Sequence, residues 1–154
     1  MKYLVTLLLI ATIVTACHKS SNDSEQATQL VFGQYHGFCE NHCAVFYKLD
    51  SGHLYADNLN NYHYGDPPTF SDIPLNNEKF NLAKSLFDNF PAYLKNQPDS
   101  SFGCPDCHDQ GVIYIQYSEN GIVKKWHIDP VISRLPDEIK TYVQQLSTVM
   151  TQLK

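Results

Sequence analysis

The chain has 154 residues, of which 43% are hydrophobic and 18% charged, enough apolar material for the core of one domain. Sixteen acidic residues against eleven basic ones give a formal charge of −5, which disfavours nucleic acid as a partner and leaves no basic stripe for anionic lipid.

The first segment is an address. Met1-Lys2-Tyr3 is a short positive start, and the apolar run from Leu4 to Thr15 falls short of the ~20 residues that a membrane span needs. It closes on small residues, Val14-Thr15-Ala16, before Cys17. Residues 1–17 resemble a bacterial lipobox, the signal of a lipoprotein. The resemblance implies removal of residues 1–16, a diacylglycerol thioether on the sulfur of Cys17, and acylation (palmitate or a similar chain) of its new amino group. An ordinary secretory signal is the alternative. At roughly 0.8 kcal/mol per buried methylene, several acyl chains anchor a protein to the membrane for good. In such lipoproteins an Asp after the lipidated cysteine favours the inner membrane; here His18 follows, so the expectation is the cell envelope at the outer membrane. Without the signal, basic residues fall from 11 to 10 against 16 acidic ones, a formal charge of −6.

Residues 17–30 are the lipidated cysteine and a polar, aperiodic tether. Residues 31–154 then make up a single domain that starts near Leu30. Val31 to Phe38 reads as a strand interrupted by Gly33 and Gly37, and Ala44 to Leu49 as a second, with Cys39-Glu40-Asn41-His42-Cys43 between them. That spacing predicts a hairpin with Cys39 and Cys43 opposed across its end, within disulfide reach. Asp50-Ser51-Gly52 turns the chain into a third strand, His53 to Asp57, completing a meander.

Asn58 to Asn76 carries three prolines and no period, and reads as a long surface loop. Its aromatics, Tyr62, His63, Tyr64 and Phe70, are candidates to stack on an envelope protein or a glycan; the bland alternative is a loop pinned by its own rings. Asn77 to Asn89 is a helix with Phe80, Ala83, Leu86, Phe87 and Phe90 on one face, Asn77 as its cap, and a break at Pro91 before Tyr93 and Leu94.

Ser101 to Gly111 holds the sharpest chemical offer, because Cys104, Cys107 and His108 spell C-x-x-C-H. A hairpin follows, centred on Asn120-Gly121. Its register should pair Glu119 with Ile122, Tyr117 with Lys124, Ile115 with Trp126 and Ile113 with Ile128, leaving Tyr114 and His127 paired on the other face. Pro136-Asp137-Glu138 opens a last helix with the stripe Ile139, Tyr142, Val143, Leu146, Val149, Met150, Leu153, fit for a core or, less simply, for a coiled-coil partner. The order β-β-β-α-β-β-α predicts an α+β domain, an antiparallel sheet with both helices packed on one face.

The C-x3-C pair leading into a strand, and the C-P-D-C loop, are similar to domains of uncharacterised envelope lipoproteins, over about half of the domain. The resemblance brings no assigned activity, and in that group the residue after the second cysteine need not be histidine.

Three readings of the cysteines stand side by side. In an oxidising compartment Cys39, Cys43, Cys104 and Cys107 form structural disulfides, local or exchanged between the motifs. Alternatively Cys104, Cys107 and His108 attach haem c, with Met150, His127, His36 or His63 as second axial ligand, or the four thiolates gather zinc. The third reading is thiol–disulfide exchange by C-P-D-C, which Asp106 would oppose by disfavouring a thiolate. There is no G-x-S-x-G and no H-E-x-x-H, so hydrolysis finds no motif. The sequence favours a non-catalytic, membrane-anchored, disulfide-braced binding or structural module without a cofactor, and keeps the haem c or metal-binding electron carrier as its alternative.

Overall fold

A computed structural model describes residues 28–37, 43–58 and 67–154 of the chain. Six strands form one sheet in the order β3-β2-β1-β5-β6-β4, with β1 at Gln29–Tyr35, β2 at Ala44–Leu49, β3 at Leu54–Ala56, β4 at Ser100–Phe102, β5 at Val112–Glu119 and β6 at Ile122–Ile128. Helices α1 (Asn77–Asp88), α2 (Ala92–Lys95) and α3 (Asp137–Leu153) complete the domain, with a single 3-10 turn at Ile132–Arg134. The domain is α+β.

The hairpin β5–β6 has the register that Asn120-Gly121 dictates: Glu119 faces Ile122, Ile115 faces Trp126, and Tyr114 faces His127. Asn120 and Gly121 both take positive φ, as a two-residue hairpin turn demands. Trp126 is therefore fully buried, and its indole N–H donates to the Pro98 carbonyl at 3.0 Å. The helix layer covers that face. Leu30, Phe32, Leu49, Ile115 and Ile128 meet Ala83 and Leu86 of α1 and the whole apolar stripe of α3 in one core. The stripe of α3 is thus core, not coiled coil.

Strand bounds shift: β1 runs unbroken through Gly33 from Gln29 to Tyr35 instead of Val31 to Phe38, and β3 is Leu54–Ala56 instead of His53 to Asp57. Three further points differ from what the sequence suggested. The sheet is mixed rather than wholly antiparallel, because β4 runs parallel to β6, Ser101 opposite His127. Three residues of serine and phenylalanine show no alternation to read. What holds them is specific: Trp126 bonds Pro98, the Lys125 amide donates to Asp99, and the Asp129 amide donates to the Phe102 carbonyl. Second, the cap of α1 is Asn76, whose side chain accepts from the Lys79 amide, one residue before the expected cap. Third, Pro91 ends α1 but starts the short α2, leaving Phe90 to stack on Tyr117 at 4.2 Å and meet Tyr142 edge-on.

The face away from the helices is also apolar. Val31, Tyr35, Phe46, Val112 and Tyr114 are buried there, with half-buried Phe70 packed against them. Gly33 is the device that lets Phe46 lie down: a Cβ at position 33 would come within 2.3 Å of the Val45 carbonyl and 2.5 Å of the Phe46 ring. Phe46 then meets Tyr114 edge-on at 5.6 Å.

Candidate functional site

β1 and β6 run toward one end of the sheet and β2 and β5 start from it, so Tyr35, Ala44, Val112 and Ile128 share that end. The connections leaving it are the two cysteine loops. His36 closes the β1–β2 connection by donating its amide to the Cys43 carbonyl at 2.9 Å. The Cys104 loop enters from β4 and leaves into β5.

Cys104 and Cys107 are bonded to each other, the local connectivity rather than an exchange between the two motifs. Cys43 is also disulfide-bonded. Cys39 and Cys17 lie outside the described residues, as do the whole signal segment and Tyr62, His63 and Tyr64. The Cys104 turn has Pro105 second and Asp106 third with φ 57°, and the Cys107 amide reaches back to the Cys104 carbonyl at 3.4 Å, a type II pattern. A bridge over a sequence separation of 3 closes so short a loop that chain entropy yields only about 2 kcal/mol.

Most of the loop's shape comes from carboxylates. Asp106 accepts the Gly111 amide on Oδ1 and the Gly37 amide on Oδ2, each at 3.0 Å, and so ties the two cysteine loops together. Gly111 is required: it takes φ 81°, and a Cβ there would stand 2.6 Å from the His36 ring and 2.9 Å from the Tyr35 carbonyl, whereas a Cβ at position 37 would meet only the Asp106 carboxylate, at 2.6 Å from Oδ2.

The second carboxylate, Asp129, is the one buried charged residue among the described residues. Its Oδ2 accepts from the Cys104 amide at 3.0 Å and from Arg134 at 3.2 Å; its Oδ1 accepts from the Val131 amide at 2.8 Å and from Gln110 at 3.3 Å. Burial pushes this carboxyl up, but the Val131 and Cys104 amides, then Arg134 and Gln110, outweigh it and hold the group below its ordinary value. Gln110 also donates to the Cys104 carbonyl at 2.8 Å and accepts from the His108 amide at 2.7 Å. Asp129 was not singled out by sequence reasoning. The signal was there: Asp-Pro after a strand is a turn dipeptide, and the bond to the Val131 amide two residues on is the Asx turn it forms.

The other residues that the sequence put forward are dispersed. His108 is exposed on the loop surface. Met150 belongs to the core under the helices, whereas His127 stands on the opposite face between Tyr35 and Tyr114. His36 and Met150 do line one cavity with Gln34, Cys43 and Val45, but its volume is about 80 Å³. That is well under the ~300 Å³ at which small-molecule pockets begin, so no macrocycle enters it. Phe70 faces Lys48, whose ammonium lies 4.5 Å from the Tyr55 ring and 5.3 Å from that of Phe70. Among the described residues no group of three or more His, Cys, Asp or Glu side chains is arranged to hold a metal ion, and no helix is long and apolar enough to cross a membrane.

Comparison with protein-family models finds no match, and comparison with curated proteins finds none either.

Proposed function

We propose that this chain is a lipid-anchored protein of the bacterial envelope, without catalytic activity, that binds another envelope component through its cystine end. One observation carries the reading. The two cysteine loops converge on one end of the sheet, while Gln29, where the chain arrives from the tether, lies at the other. A seven-residue strand separates those ends by about 20 Å. With Cys17 in the bilayer, this arrangement lets the cystine end point away from the membrane. Exposed loops on a rigid scaffold are where binding residues concentrate. The bond between Cys104 and Cys107 supports this reading over haem c or zinc, since both of those need free sulfurs at these positions.

The test has two arms. Metabolic labelling with a palmitate analogue marks the wild type and leaves Cys17→Ser unmarked; label that persists in the variant removes the lipid anchor. A photo-crosslinking residue at His108 captures a specific partner in intact cells, while one at Ile122, 63% exposed at the opposite tip, does not. Capture that is equal at both positions, or absent from both, removes the binding surface.

A further inference from the structure

The Cys104 loop is shaped twice over, once by its disulfide and once by hydrogen bonds that do not involve sulfur. The Cys104 amide is held by Asp129, the Cys104 carbonyl by Gln110, and the far side of the loop by Asp106 through Gly37 and Gly111. The sheet and helix core beneath is continuous without this bond. Both half-cystines are solvent-exposed, whereas Cys43 is 7% exposed. Exposed disulfides are among the more readily reduced ones. We propose that the Cys104–Cys107 pair is a thiol–disulfide exchange centre, reduced by the dithiol form of a partner protein and reoxidised by a protein disulfide, while the domain stays folded.

The step balances without a cofactor. A thiolate of the partner dithiol bonds to one of the two sulfurs, the Cys104–Cys107 bond breaks, and the other cysteine leaves as a thiolate that takes up a proton. The partner's second thiol, losing its proton, then attacks the mixed disulfide. The partner is left with a disulfide and this chain with two thiols, a transfer of two electrons and two protons. In the return direction Asp129, Gln110 and Asp106 keep the two thiols in one turn, so closure is intramolecular. The Gly111 and Gly37 amides, whose dipoles point at the two Asp106 oxygens, offset part of the field that this carboxylate puts on a neighbouring thiolate. This proposal rests neither on the lipid anchor nor on a partner for the cystine end, so it stands or falls separately from them.

The experiment equilibrates the folded full chain in graded glutathione buffers, alkylates free thiols, and maps them by peptide mass. Cys104 and Cys107 should become labelled together at a ratio of reduced to oxidised glutathione at least about tenfold lower than Cys43 requires, with the near-ultraviolet circular dichroism unchanged. In Cys107→Ser the remaining Cys104 should form a glutathione adduct in the folded protein, and in Cys104→Ser the adduct should form on Cys107. Labelling of Cys104 and Cys107 only alongside Cys43, or only in denaturant, overturns the proposal, as does the absence of adduct on either folded variant.

Discussion

Replacing Asp129 tests whether the cystine end is built as described. Asp129→Ala leaves four donors without their acceptor: the Cys104 and Val131 amides, the Gln110 amide group and Arg134. Arg134 is 42% exposed and can turn to water, so its loss is small. The two backbone amides cannot turn, and they lie in part-buried bonds, so each left unpaired costs toward the low end of about 1–3 kcal/mol. The expected destabilisation is roughly 2–4 kcal/mol. Asp129→Asn keeps one oxygen and sets an NH2 against two donors, so it should fall between alanine and wild type. The pH dependence has a fixed sign. The folded carboxyl titrates below its unfolded value of 3.8, so its contribution is present above that pH and fades as pH falls through the folded value. Urea unfolding between pH 3 and pH 7 should therefore show the gap between wild type and Asp129→Asn shrinking at the acid end. An alanine variant that loses less than about 1 kcal/mol, or a gap independent of pH, would refute the role of this carboxylate.

Trp126→Ala should cost about 3–5 kcal/mol, since it empties a fully buried site and strips the Pro98 carbonyl of its donor; a loss under 1 kcal/mol by denaturant titration would contradict the register of β5–β6. Burial first, then the Lys125 charge, holds the His127 imidazole below its ordinary value, with Asp99 opposing. The folded state thus prefers neutral His127, and stability should fall as pH drops below about 6.5, while His127→Gln should flatten that part of the profile; an unchanged slope removes His127 as its source.

The parts of the fold that depend on periodicity and turn chemistry were legible in the residues. Asn120-Gly121 fixed every pairing of β5–β6, and the spacing from Ile139 to Leu153 matched the buried positions of α3. The parts that depend on single hydrogen bonds were not. β4 has no pattern of its own and exists because Pro98, Asp99 and Phe102 each bond to β6 or the residue after it. The apolar outer face was half visible, in the unbroken runs Leu30–Phe32 and Val45–Tyr47, which suit a strand buried on both sides. At the candidate site, cysteine spacing drew attention to the Cys104 loop. The residues that shape it, Asp129, Gln110 and Arg134, come from positions whose convergence only the topology brings about.

The central claim is that the cysteines beyond Cys17 brace this end of the sheet as disulfides. Intact mass of the protein isolated from its own envelope, before and after reduction and alkylation, tests it most directly. The account predicts no alkylated thiol at Cys39 or Cys43 before reduction, Cys104 and Cys107 either both bridged or both alkylated, and a mass about 2 Da lower for each disulfide present. A gain near 616 Da (about the mass of haem) with a Soret band would contradict it and make Cys104, Cys107 and His108 a haem site. Four free thiols with one equivalent of metal would contradict it equally.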